Sequence, residues 1–479
     1  ELQNIETQRH LASLALNRAM IALAQGNVEE QEKLAQECLQ LTEALAAAQP
    51  EREDLQKEAC LAMLSLCKMH GERGDSEALL STADAVVARA GAWLAAHPDT
   101  LWAMHNQVLA HNLAALYIIR ELARPEQGSL RFETAAQTAR QMREALGDHA
   151  LVFAAEGVIR AGNAKVGGGL KDNAQRESEA LAAAEAFARA IALGGDSALL
   201  REEHASALNR AGSAVRERGQ KTQDTAAVKQ GEDMIREALA ARRKLVELEP
   251  GRGEWWRDLA HSIKQVAGFE QEAATEHTLR LEEMDCRDEA LARSPHRPLL
   301  YAERAISLEL LAKCEMKLSQ PDPAKAAGHL LRGLEDQRRS AEMNGMKPVI
   351  STIRSLGFVR MLADIAVKHP AQSLPWLDRA RDILAPVAEK MEGADFTASL
   401  AYLTTSRQKV LAALGQEKEE AEAQTRLAAM AGGQTTPLGM HDHARGLIVS
   451  LKNEFDAAVK TPSRAENFQF MRKIEAAVP

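Results

Sequence analysis

The sequence predicts an all-α chain, an α-solenoid of antiparallel helical hairpins with a period of about 49 residues. Three observations predict it. The apolar 46% of the 479 residues is mostly Ala and Leu and aromatics are only 4%, so the Val, Ile and Thr alternation that strands are built from is scarcely present. Apolar residues recur at helical spacing, as in Leu101, Met104, Val108, Leu109, Leu113, Leu116 and Tyr117. The helical pattern also stops at Pro or Gly and restarts at a regular interval.

The stops fall at Pro50, Pro98, Gly147, Gly195, Pro250, Pro295, Gly345 and Gly393, at intervals of 48, 49, 48, 55, 45, 50 and 48 residues. Between them a second break divides each pattern, near Gly71, Pro125, Gly167, Gly219, Pro321 and Pro370. In the stretch from Pro250 to Pro295 the break is expected near "GFEQEAATE". Pro ends a helix because it lacks the amide donor, and Gly because it supplies the left-handed cap. Each unit is therefore a hairpin with arms of roughly twenty residues, about 30 Å at the helical rise. A lone hairpin cannot cover its own apolar stripe, so neighbours must stack.

The first hairpin is expected over Leu2 to Gln49, pivoting at Ala24 to Asn27, and the last pivots near Gly415. After "MAGGQTTPLGMHDHA" the pattern changes: Gly439 to Val459 reads as one helix and the rest as a tail. The expected organisation is a repeat array over 1–430 and a C-terminal helix and tail over 431–479. A chain that opens on Glu1 without an initiator Met reads as a fragment or a processed form.

The net charge is −9, with acids and bases interspersed, which suggests solvated helix faces. The densest basic runs, Ala241 to Lys244 and Arg338 to Ser340, are short and flanked by Glu. No basic patch stands out, and on that ground nucleic acid is excluded as a partner. Cys38, Cys60, Cys67, Cys286 and Cys314 are an odd, scattered set, unlike a disulfide framework. Cys60 and Cys67, seven apart, share a helix face and read as small buried hydrophobes. No stretch approaches the ~20 apolar residues of a membrane span and no signal-peptide pattern is present, so no membrane insertion is expected.

One string is more specific. Trp256, Leu259, Ala260 and Ile263 form W-x2-L-A-x2-I, preceded by Ala238, Leu245 and Pro250. This resembles the tetratricopeptide repeat, whose first helix carries the Trp, Leu and Ala signature and whose second closes on Pro. The string "ARRKLVELEPGRGEWWRDLAHS" is similar to the variety with P-x4-W-x-R-D-L-A-x-S, found in multidomain bacterial signalling proteins. Tyr301, Ala305 and Leu308 echo the pattern in part, and Trp102 with Tyr117 occupies an equivalent arm. The resemblance implies a non-catalytic scaffold or sensor that holds a protein or peptide in a groove lined by first-arm helices. It further implies a regulatory part of a larger bacterial signalling or effector protein. The partner would then be another protein, a peptide, or an upstream effector domain of the same polypeptide. The expected place is the cytoplasm, or a face toward the cell envelope if an upstream membrane span has been removed.

Within that groove the candidates are polar residues seven apart on first arms: His105 with Asn112, Asn209 with Arg216, and Arg257 with Lys264, joined by Trp255. An ordinary solvated face is the competing reading for each of them. "GNAKVGGGLKDN" (Gly162 to Asn173) lacks the G-x4-G-K-[ST] order and the preceding strand of a phosphate loop, and reads as a flexible connection between arms. His441 and His443 would point about 200° apart on a helix, which prevents shared ligation. Signatures of zincins, serine hydrolases, CxxC redox proteins and kinases are missing, so no catalytic, metal or cofactor residue is assigned and no cofactor is expected. An enzyme whose site lies in the loops over 162–173 or 432–445, or a nucleic-acid-binding helical array, are the alternatives.

Overall fold

The computed structural model describes residues 2–24, 28–73, 75–170, 173–195, 197–343, 351–388 and 394–415. The stops at Gly345 and Gly393, the C-terminal helix expected over Gly439 to Val459, and His441 with His443 lie outside the described residues. Among the described residues there are 17 helices and no strand. They are α1 (Leu2–Ala24), α2 (Val28–Ala48), α3 (Glu53–Arg73), α4 (Ser76–Ala96), α5 (Leu101–Arg120), α6 (Pro125–Leu146), α7 (Ala150–Leu170), α8 (Asn173–Ala192), α9 (Ala198–Thr222), α10 (Thr225–Leu248), α11 (Gly253–Ala267), α12 (Ala273–Arg293), α13 (Pro298–Glu315), α14 (Pro323–Met343), α15 (Ser351–Lys368), α16 (Pro370–Ala388) and α17 (Ala394–Ala413).

Each odd helix from α1 to α15 packs against the even helix that follows it, so the described residues form a succession of antiparallel hairpins, and α17 packs on α15 and α16. Pro50, Pro98, Gly147, Gly195, Pro250 and Pro295 lie in the short links between one hairpin and the next. The unequal intervals come from the arms. The longest holds a 25-residue and a 24-residue helix, α9 and α10, and the shortest holds the 15-residue α11. Local chemistry sets the ends. Asp224 caps α10 by accepting from the amides of Ala226 and Ala227 at 3.0 and 3.1 Å. Asp75 and Ser197 cap α4 and α9 in the same way.

The chain divides into two compact units, 1–250 and 251–479. In the first, α3, α5, α7 and α9 also pack on one another, so first arms form a continuous layer. Its core runs from Cys60, Met63 and Cys67 through Val86 and Trp102, then Met104, Val108, Met142 and Ile159, to Phe187, Leu208 and Ala238. In the second unit the largest core joins α13 to α17 through Leu330, Leu334, Phe358, Leu362, Leu377 and Val410. Of the described helices only α4 is long and apolar enough by composition to cross a membrane, which the sequence reading did not anticipate. Its Leu79, Ala83, Val86 and Ala90 are buried, and Ala83, Val86 and Ala90 pack against α3 and α5.

Abundant Ala and well-placed Gly let these helices approach closely. At the α9–α10 crossing a Cβ on Gly231 would lie 2.5 Å from the Gly212 carbonyl oxygen and 2.6 Å from the Arg216 amide nitrogen. Backbone cannot yield there as a flexible side chain can. All five cysteines are buried and free, and burial pushes the Cys60 thiol up to about 11 and the Cys67 thiol up to about 12. Both behave as small apolar groups.

One expectation is corrected. Gly162 to Leu170 is not a connection but the end of α7, which continues through Gly167, and Asn173 already opens α8. Glycine costs a helix about 1 kcal/mol but does not forbid it. Gly162 has a packing reason as well, since a Cβ there would sit 2.3 Å from Asn112 Oδ1 and 2.7 Å from the Phe132 ring.

The Gly231 contact predicts that Gly231→Ala lowers stability by about 1–3 kcal/mol through overpacking. Gly328→Ala, on an open face of α14 with nothing within 4 Å of the new Cβ, raises it by roughly 0.5–1 kcal/mol. Urea unfolding followed by circular dichroism measures both.

Candidate functional site

Among the described residues, charged side chains held between helices form a series of pairs. In the first unit Arg242 of α10 donates from Nε and Nη2 to Glu202 of α9, the shortest contact being 2.7 Å, and also donates to Ser206 Oγ at 2.7 Å. Arg143 clamps Glu156 with bonds of 2.8 and 2.7 Å. Together with Arg189 it covers the Phe153 ring at 4.6 and 4.5 Å. In the second unit Glu303 of α13 accepts from Arg257 of α11 at 2.8 Å and from Arg287 of α12 at 2.6 Å. The fully buried Glu283 accepts from Arg280 at 3.0 Å and from Ser307. Charges removed from water persist when such partners replace the lost hydration.

Against this background the sequence-predicted groove residues separate into three kinds. Arg257 is fixed by its bonds to Glu303, and although burial lowers its pKa, the Glu303 hydrogen bond together with the charges of Glu303, Asp258 and Glu254 leaves it raised. Arg216 similarly donates to Glu232 at 3.2 Å, and the Lys264 carbonyl accepts from Arg280 at 3.3 Å. Trp255 is 3% exposed, with the Arg252 guanidinium 4.3 Å over its ring. The second Trp of the pair, Trp256, is partly buried against Leu291, Leu300 and Tyr301. Asn112 and Asn209 are also buried, yet the Oδ1 of each has no hydrogen-bond partner. His105 sits deep among protein atoms with its Nδ1 unpartnered, and desolvation pushes its imidazole down to about 4, which leaves it neutral at pH 7. His105 and Asn112 are on α5 and Asn209 is on α9, so the structure gathers these three in the first-arm layer of the first unit.

The same layer holds two residues that periodicity did not single out. Lys165 of α7 and Arg210 of α9 are half-buried, and burial lowers the pKa of both. Their electrostatic neighbours are Glu203 and Glu202 on one side and Arg120, Arg176 and Arg242 on the other. Glu202 is already taken by Arg242. One signal in the sequence could have found them: Glu203, Arg210 and Glu217 are seven apart on α9, and Lys165 follows the Gly162 contact by one helical turn.

Two cavities open in this unit. One, of roughly 530 Å³, has Ile191, Ala240, Ala241 and Leu245 among its apolar walls and Arg201, His204, Glu237 and Lys244 beside them. The other, of roughly 270 Å³, lies between α8 and α9 and includes Arg210. Among the described residues no group of three or more His, Cys, Asp or Glu side chains is placed to hold a metal ion.

Among known proteins, no family model matches the chain, and no curated protein does. Solved structures do. A human IFIT1 dimer with PPP-AAAA is 12% identical over 88% of this chain and 94% of that one, with a TM-score of 0.34. A circular tandem repeat protein is 14% identical over 88% and 100%, at 0.26, and yeast Tom70 is 10% identical over 95% and 99%, at 0.20. At such scores the likeness is one of helical-repeat layout, and what those proteins bind is theirs. The exclusion of nucleic acid drawn from the charge balance is nevertheless corrected: IFIT1 is also solved with m7Gppp-AAAA, so a long helical repeat chain can be an RNA binder. The physical reason is that a net charge of −9 averages over the surface and hides local clusters such as Lys165, Arg210, Arg120 and Arg176.

The desolvated imidazole of His105 predicts a pH dependence. The folded state holds His105 neutral down to about pH 4, whereas the unfolded chain takes up that proton near pH 6.5. Its contribution to stability is thus complete above about pH 6.5 and is lost as the pH falls toward 4, on the order of 3 kcal/mol in all. In His105→Gln that loss disappears, so chemical unfolding across this range gives a flatter profile than in the parent.

Proposed function

We propose that this chain is a non-catalytic binding scaffold and that its first unit captures an extended acidic polypeptide segment along α5, α7 and α9. The observation that supports the reading is the pair Lys165 and Arg210. Both are held at a desolvation cost on the first-arm layer, while Arg242, Arg257 and Arg304 are each paired with a carboxylate of another helix. A carboxylate arriving from a partner would form charge-assisted hydrogen bonds with them, each worth more than a neutral one. Because the cations sit on packed helices, little side-chain entropy is lost on binding.

On the resemblance over Ala238 to Ile263 we further place the chain as the sensing or scaffolding part of a larger bacterial signalling or effector protein in the cytoplasm. The reading frame upstream of Glu1 tests that placement: an effector domain supports it, and an unrelated gene there removes it.

A random-peptide display screened on the purified chain is expected to enrich acidic sequences. Their binding should weaken by about tenfold or more in Lys165→Ala with Arg210→Ala and stay unchanged in Lys229→Ala, an exposed lysine on α10. Enrichment of neutral or basic sequences, or equal binding to the double variant, sinks the reading. If single-stranded RNA binds with this residue dependence and no peptide does, the polypeptide is the wrong ligand class.

A further inference from the structure

The smaller cavity has a charge composition that the fold does not need. Its walls carry four cationic side chains, Arg176, Arg210, Arg218 and Lys221, against two carboxylates, Glu177 and Glu217. Both carboxylates are engaged. Arg218 Nε donates to the two oxygens of Glu177 at 3.0 and 2.9 Å, and Lys221 Nζ donates to Glu217 at 2.6 Å. Arg176 and Arg210 are therefore left without a carboxylate among the described residues lining the cavity. Arg176 gives one Nη1 bond to the Asn173 amide oxygen at 3.3 Å, and its Nε is buried with no partner. The hydroxyls in the wall do not offset this. Ser213 Oγ donates to the Asn209 carbonyl and Thr222 Oγ1 to the Arg218 carbonyl, at 2.8 and 3.0 Å. Lys165 follows Ala164 of the cavity wall in the chain and lies within electrostatic reach of Arg210.

We infer that this cavity between α8 and α9 is a binding site for a phosphate group, held by Arg176 and Arg210 with Lys165 adding charge from α7. Two guanidinium forks without carboxylates match the oxygens of a phosphate better than a single carboxylate, which can occupy only one fork. The volume of roughly 270 Å³ accommodates one or two phosphoryl groups. The alanine walls, Ala164, Ala174, Ala180 and Ala214, offer no side-chain acceptor to compete for the forks. The site goes beyond the capture of a polypeptide, because it requires only the anion and is complete within the first unit.

Isothermal titration of the full chain with inorganic phosphate and with pyrophosphate, at ionic strength fixed by sodium chloride, tests the site. Saturable binding is expected for both anions, tighter for pyrophosphate. It should weaken by about tenfold or more in Arg210→Gln and remain unchanged in Lys229→Gln. Arg176→Gln, on the rim helix α8, serves as a second variant should Arg210→Gln fail to fold, and ³¹P line broadening on the unmodified chain needs no variant. The inference is overturned if neither anion gives saturable heat and the ³¹P line stays sharp. It is overturned equally if the Gln variants that fold bind as the parent does, or if citrate at matched ionic strength binds as tightly as pyrophosphate. Since the probe is the anion alone, its failure leaves the polypeptide reading standing, and an uninformative peptide screen leaves the phosphate site standing.

Discussion

Everything in this molecule follows from the inability of a two-helix hairpin to bury its own apolar stripe. A pair of twenty-residue helices exposes one face whatever its sequence, so each hairpin is stable only with a neighbour on that face. The neighbour must come close, and closeness is what the composition supplies. Ala135, Ala155, Ala183, Ala205 and Ala238 are all fully buried, and at Gly212 and Gly231 two helices meet backbone to backbone. Larger residues there would hold the arms apart and reduce the dispersion contact that close packing provides.

Close packing has an electrostatic consequence. Helices pressed together leave little water between them, so any charge on a contacting face must bring its counter-charge. The ion pairs obey this with some regularity: Arg242 with Glu202, Arg257 and Arg287 with Glu303, Arg304 with Asp336. These pairs fix register between arms more than they add stability, since desolvation consumes much of the Coulombic gain. Lys165 and Arg210 bear desolvation with the charge of Glu203 near them but no ion pair shown among the described residues, and Arg176 keeps a buried Nε with no partner. The anionic ligand proposed above would add negative charge at these cations.

The period, the hairpin order and the all-helical class were legible in the sequence because they depend on signals read one residue at a time. Pro cannot donate an amide bond and apolar stripes repeat at 3.6 residues, so Pro50, Pro98, Pro250 and Pro295 announced their links. Glycine was less reliable for a physical reason. Gly162, Gly212 and Gly231 are glycines of close approach inside helices, and the sequence alone does not distinguish these from glycines that end helices, as Gly147 does with φ of 61°. The two tryptophans show a similar limit. Adjacent residues on a helix lie about 100° apart, so the string "WW" fixed their divergence but not which ring would be enclosed; it is Trp255.

The candidate site was legible in its location more than in its members. A seven-residue spacing marks which residues share a face, and it brought His105, Asn112 and Asn209 to the first-arm layer. It says nothing about partners on other helices, which is why Arg257 and Arg216 looked available while Glu303 and Glu232 were holding them. Whether a cation is free is a property of the assembled stack, because its counter-charge can come from a helix forty or more residues away, as Glu303 does for Arg257 at a separation of 46. In a repeat protein each face is built from segments distant in sequence. Functional groups are then recognised by the pairing they lack, and that is visible only once neighbouring arms are in place.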